Sequence, residues 1–246
     1  MLEWWKRKEK NMQTLKRSKD RKVANSVTKS GNPNIANSFG LPSGKEYSCQ
    51  DQTEFCESIC YAGKLEKIYK GVKTNLLHNW DLVKDATRED MYYLLDEMVE
   101  SFVADCYKRD AEKLFRIHWD GDFFSNDYTR AWSQVIAENP SVQFWVYTRS
   151  LASAMTLHMA NHDNLALYFS ADKDNLHFAN IAESKGINIA YVGKDFAEGK
   201  DIFPKATKCP ENNKSIPLIS EKGSACKVCG LCVNGRKSVL FSTTKK

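Results

Sequence analysis

The chain has 246 residues, with 36 Lys/Arg against 31 Asp/Glu and a formal charge of +5. A hydrophobic fraction of 42% and an aromatic fraction of 11% belong to a globular chain with one sizeable core, which excludes a disordered or fibrous protein. No apolar run reaches the roughly 18 residues of a membrane-spanning helix, and the opening residues lack the apolar stretch and cleavage site of a secretory signal, so the expectation is a cytoplasmic protein that enters no membrane.

The charge is uneven. Residues 1–30 hold ten Lys/Arg and three Asp/Glu, and the rest of the chain is almost neutral. A basic N-terminal arm over 1–30 is therefore expected, either solvated or in contact with nucleic acid or an acidic partner protein. Residues 31–48 are rich in Asn, Ser, Gly and Pro and read as irregular chain, with one short strand at 35–39.

Two helical stretches follow. Leu65, Ile68, Val72, Leu76 and Trp80 recur at helical spacing over 64–83, and Met91, Leu94, Leu95, Met98, Phe102 and Val103 do so over 88–108. Strands are expected at 114–119, 142–148, 165–170 and 187–192, from their β-branched and aromatic content, with helices at 127–138, 150–160 and 176–184 between them. A closing strand is expected at 239–243. Strand and helix in alternation make a parallel sheet with crossover helices, so the predicted class is α/β, a partial or open β/α barrel. Its domain layout is a basic arm over 1–30, a β/α core over 31–200 and a Cys-rich C-terminal segment over 201–246 packed on that core.

Eight cysteines are many for a chain with no export signal, and metal or redox chemistry is preferred to disulfides. Cys226, Cys229 and Cys232 stand at C-x2-C-x2-C spacing, with Gly230 easing the turn and Cys209 upstream as a fourth ligand. This is the spacing of ferredoxin-type 4Fe–4S ligation, and a tetrahedral zinc site of the same four thiolates is the alternative. Cys49, Cys56 and Cys60 form a second group without a local fourth ligand, which suits a cluster with one open iron. His78 and His118 are the nearest residues that could close it. Cys106, on the apolar side of a helix, reads as a buried small hydrophobe.

Polar groups gather where predicted strands end. Asp120-Gly121-Asp122 follows the first strand of the core, Tyr147-Thr148-Arg149 ends the second, and Ser170-Ala171-Asp172 ends the third. In parallel sheets this carboxyl rim is where ligands bind. Asp120 and Asp122 can accept hydrogen bonds from an ammonium or hydroxyl group, Gly121 permits close backbone approach, and Arg149 can pair with a carboxylate.

The stretch from Leu41-Pro42 to Cys60-Tyr61-Ala62, together with His118 to Ser125, Tyr147-Thr148-Arg149 and the terminal Cys-rich run, resembles the phage gene-product-88 family over residues 30–242. That resemblance implies a phage origin, hence a host-cell cytosol and a host protein among the arm's candidate partners. More distantly, the order of the motifs is similar to that of radical S-adenosylmethionine enzymes, although their common C-x3-C-x2-C loop is here C-x6-C-x3-C. This second likeness implies that Cys49, Cys56 and Cys60 carry a 4Fe–4S cluster whose open iron holds the methionine part of the cofactor. Asp120, Gly121, Asp122, Thr148, Arg149 and Ser170 would line its pocket, and the C-terminal centre would be structural or electron-relaying. A non-catalytic iron–sulfur or zinc protein that binds nucleic acid or a host protein is the alternative.

Overall fold

The computed structural model describes residues 13–24 and 35–244. After a one-turn helix α1 (Arg21–Ala24) and an irregular stretch, three helices come in succession: α2 (Glu54–Ile59), α3 (Tyr61–Ile68) and α4 (Lys70–Val83). The single helix expected over 64–83 is thus divided at Tyr69, whose ψ of 99° turns the chain. Each piece buries its own short face, Ala62 and Glu66 in α3 and Leu76, Asn79 and Val83 in α4, and Ile68 of the presumed common stripe is exposed.

Helix α5 (Arg88–Lys108) matches its expected span. Thr87 caps it by accepting the Asp90 amide, Glu89 and Asp90 sit in the first turn where the helix dipole favours negative charge, and Met91, Leu95, Met98, Val99, Phe102 and Cys106 form its buried stripe. Strand and helix then alternate: β1 (Leu114–Ile117), α6 (Asn126–Glu138), β2 (Gln143–Thr148), α7 (Leu151–Ala160), β3 (Leu165–Ala171), α8 (Leu176–Ser184), β4 (Asn188–Gly193) and α9 (Phe196–Ile202). The C-terminal part adds β5 (Thr207–Lys208), a small hairpin of β6 (Ile219–Ser220) and β7 (Gly223–Ser224), helix α10 (Ala225–Cys229) and β8 (Val239–Ser242).

Six of these strands make one parallel sheet in the order β1-β2-β3-β4-β8-β5. The segment expected as a strand at 35–39 runs parallel to β1 through a single bridge, Ser38 to Arg116, with the Phe39 amide donating to the Arg116 carbonyl and the Trp119 amide to the Phe39 carbonyl. It brings the chain to the carboxyl rim just before the first cysteine group.

Side chains alternate across the sheet and divide it into two environments. Phe115, Ile117, Phe144, Val146, Phe169, Ala171, Ile189, Tyr191 and Leu240 belong to the large apolar clusters shared with helices α5–α9. Leu114, Trp145, Tyr147, Ala166, Tyr168, Ala190, Val239 and Phe241 face the other way, and the C-terminal segment covers them with Val233, Cys209, Cys226 and Cys232. The fold is therefore α/β with a fully parallel sheet, helices on one face and the cysteine-bearing segment on the other. No described helix is long and apolar enough to cross a membrane.

Part of the basic N-terminal stretch lies on this body. Lys16 exchanges hydrogen bonds with the Asn79 side chain, Arg17 pairs with Asp105 at 2.6 Å, Asp20 with Arg116 at 2.8 Å, and Lys22 with Glu211 at 2.8 Å. Leu15 and Val23 are buried.

Candidate metal centres and the acidic rim

Four ends of chain converge at the carboxyl rim. Gly121 has φ +80°, and a Cβ placed there would stand 2.5 Å from Ser48 Oγ and 2.7 Å from the Leu41 carbonyl oxygen, so only glycine lets the loop after β1 lie against residues 41–48. That seating aims Asp122 across the rim. Thr148 Oγ1 donates to its Oδ1 at 2.6 Å, the Phe123 amide to the same oxygen at 2.7 Å, and the Arg149 amide to Oδ2 at 2.7 Å. The Asp122 amide in turn donates to Ser48 Oγ at 3.2 Å.

Arg149 continues the chain of contacts. Its Nη1 meets Asp172 Oδ2 at 2.6 Å in a pair that is almost wholly buried, with side-chain exposures of 9% and 0%. Asp172 Oδ2 also accepts from Thr53 Oγ1 at 2.6 Å, and Oδ1 from the Asp174 amide at 2.9 Å. Thr53 is the N-cap of α2 and accepts the Cys56 amide, so one threonine ties the first cysteine group to the end of β3. Ser170 enters through its carbonyl, which accepts from Asn175 Nδ2 at 3.1 Å.

The two aspartates of the loop after β1 differ. Asp122 is saturated with donors. Asp120 is 3% exposed; its Oδ1 accepts only its neighbour Gly121's amide, and its Oδ2 has no hydrogen-bond partner. Burial and the nearby Glu66 carboxyl push its pKa up to about 8. Glu66 is also buried and accepts from the Ser43 amide at 2.9 Å.

The first cysteine group lies on this rim. Cys60 is the kink between α2 and α3 and caps α3, its Sγ accepting the Gly63 amide at 3.3 Å. Cys56 sits in the first turn of α2 and receives a hydrogen bond from Arg149, and the charges of Cys60 and Asp172 also reach it. Cys49 is within electrostatic reach of Cys56, Asp120 and Asp122. Burial raises the pKa of both Cys49 and Cys56.

The C-terminal group gathers more closely. Cys209, Cys226, Cys229 and Cys232 all line one cavity of about 300 Å³, counting its space open to solvent, with Pro210, Ile216, Leu231 and Val239 as its apolar wall. Gly230, with φ +67°, ends α10 in the left-handed conformation and turns the chain from Cys229 to Cys232. Burial pushes Cys226 up to about 12 and Cys232 up to about 11, so metal uptake by these two thiols would displace protons. All eight cysteines are free of disulfides. Among the described residues no three His, Cys, Asp or Glu side chains converge tightly enough to hold a single metal ion.

Neither histidine considered as an extra ligand stands with the thiols. His78 Nε2 contacts the Thr14 carbonyl, and His118, at φ +57°, leaves the strand's alternation and packs between Phe39, Phe123 and Tyr128, its Nε2 on the Tyr128 hydroxyl at 2.9 Å. Cys106 is the buried hydrophobe expected, 1% exposed in the α5 stripe. Sequence reasoning passed over Ser48, Thr53 and Glu66. Thr53 carried a readable signal, an N-cap residue before an acidic first turn, whereas Ser48 and Glu66 meet the rim only through the tertiary fold.

A parallel α/β sheet with polar residues at successive strand ends and two groups of free cysteines defines the class of protein. Its family is the Gene product 88 family, which the chain matches over residues 8–235 and to which it belongs. It is 62% identical over 239 residues to the Gene 88 protein of Mycobacterium phage L5, and 60% identical over 240 residues to that of Mycobacterium phage D29; each alignment covers 96% of this chain and all of the relative. No solved structure matches it.

Proposed function

We propose that the chain is a phage-encoded iron–sulfur protein in which Cys209, Cys226, Cys229 and Cys232 hold a 4Fe–4S cluster and Cys49, Cys56 and Cys60 hold a second one at the rim. The observation that carries this reading is the cavity walled by four free thiols from one short segment. Soft thiolates select clusters or zinc. The C-x2-C-x2-C spacing of Cys226, Cys229 and Cys232, with Cys209 on the same cavity, supports the cluster. Apolar walls suit it too, since exclusion of water protects a cluster and sets its potential.

At the rim the three thiols supply one ligand fewer than a closed cluster needs. The same rim carries a buried carboxylate oxygen without a hydrogen-bond partner, Asp120 Oδ2, and the linked Asp122, Arg149 and Asp172. That arrangement supports S-adenosylmethionine as the bound cofactor, its ammonium group meeting Asp120 and Glu66. A bound cluster supplies single electrons there. The chain's own contribution is to hold Cys56 and Cys60 by the α2 and α3 caps, to keep Asp122 and Arg149 fixed by each other, and to offer the Asp120 and Glu66 carboxyls to a cation.

The test is anaerobic reconstitution with iron and sulfide, followed by incubation with S-adenosylmethionine and a reductant. The expected outcome is a visible charge-transfer band that is halved in Cys226→Ser and in Cys56→Ser, with 5′-deoxyadenosine released by the parent and not by Cys56→Ser. A colourless protein that takes up zinc alone would overturn the cluster reading. A fully loaded protein that leaves the cofactor intact would overturn the cofactor reading only.

A further inference from the structure

The N-terminal stretch has no place in the functional reading, yet its described part lies beside the four-thiol cavity. Helix α1 carries Lys22, whose Nζ meets Glu211 at 2.8 Å, and Glu211 is itself in the cavity wall. Val23 shares an apolar cluster with Cys209, Cys226 and Cys232. The Lys22 ammonium is within electrostatic reach of Cys226 and Cys209, and Arg116, anchored by Asp20 at 2.8 Å, is within reach of Cys226 and Cys232. Two cations therefore flank the four thiols. One belongs to residues 13–24, and the other is held in place by them.

We propose that residues 13–24 are an integral part of the four-thiol site, a strap that closes over the loaded cavity and supplies Lys22 as its charge-compensating residue. The inference rests on the reading that the four thiols hold metal. Four thiolates around a divalent core, whether a zinc ion or an oxidised cubane, leave a net negative charge in a partly buried place, and an unbalanced buried charge is expensive. Lys22 balances it from the cavity wall, where its ammonium meets Glu211 and lies within electrostatic reach of Cys209 and Cys226. Filling the site deepens the field that holds Lys22, so metal retention and strap seating strengthen one another, as linkage requires.

The test uses the full chain carrying Cys56→Ser and Cys60→Ser, so that iron reports the four-thiol site alone, reconstituted anaerobically with iron and sulfide. Lys22→Met keeps the stem and removes the charge, and Lys22→Arg keeps both. Iron transfer to a colorimetric chelator is expected to be about threefold to fivefold faster in Lys22→Met than in the parent, the scale of one partly exposed charge contact, and unchanged in Lys22→Arg. Trypsin, which can cut after Lys16, Arg17, Lys19, Arg21 and Lys22, is expected to release the strap faster from metal-free than from loaded parent. Equal release rates in Lys22→Met and the parent, or equal cleavage with and without iron, would sink the strap proposal and leave the cluster reading standing. A parent that takes up no metal through these thiols would end both.

Discussion

Asp120 and Asp122 are two residues apart and have opposite fates. Asp122 is met by donors from Thr148, Phe123 and Arg149, and Asp120 is buried beside Glu66 with an oxygen to spare. The glycine between them makes the difference possible. Replacement of Gly121 by alanine would force a Cβ onto the Leu41 carbonyl at a left-handed backbone angle, and about 1–3 kcal/mol of stability is expected to be lost in denaturant titration. A wild-type midpoint in Gly121→Ala would show the loop to be looser than described. His118 gives a prediction in pH. Burial first, then Arg116, lower its pKa to about 3 from an ordinary 6.5. The unfolded chain therefore binds a proton that the folded chain refuses, and stability falls as pH drops from about 6.5 toward 3. His118→Gln is expected to flatten the pH dependence of the unfolding free energy across that window, and an unchanged slope would contradict the assignment. At this scale the sequence revealed which residue types meet at the rim. It did not reveal the division of labour between the aspartates, because which carboxyl finds the ends of β2 depends on a backbone angle and on Ser48, far away in the chain.

Among elements, the long periodic ones were legible. Helix α5 and strands β1 to β4 stand within a few residues of their expected places because each buries its own apolar pattern. The helices over 54–83 were not legible in detail. Leu65, Ile68 and Val72 share a period without sharing a buried face, and Thr53 and Cys60 divide the region with caps of their own. Strands β5, β6 and β7 have two residues each and no pattern to read; β5 exists because β8 offers it an edge. The elements are locked together at the rim by Asp172, which joins the end of β3 to Arg149 after β2 and to the N-cap of α2. Asp172→Asn removes the charge that Arg149 needs while keeping the shape. About 3–5 kcal/mol is expected to be lost, as for other broken buried pairs, with faster proteolysis at residues 50–60 than elsewhere. Uniform proteolysis across the chain would show that Asp172 has no special hold on the cysteine loop.

For the whole molecule, the sheet is a divider. Helices α5 to α9 cover one face, and the cysteine-bearing C-terminal segment covers the other, where Tyr168 donates its hydroxyl to the Leu231 and Lys237 carbonyls. The α/β class and the rim were legible in the rhythm of strands and helices. The insertion of β8 between β4 and β5, and the use of an N-terminal stretch as cover, depend on contacts across most of the chain's length and leave no local trace. Strand β2 joins the two candidate centres: Tyr147 within it reaches Cys232, and Arg149, just past its end, reaches Cys56. Counting iron, acid-labile sulfide and zinc per chain after anaerobic purification tests this account most directly. About eight irons and eight sulfides, falling to about four of each when either cysteine group is replaced, is the predicted result. One or two zinc ions per chain with no sulfide would contradict it.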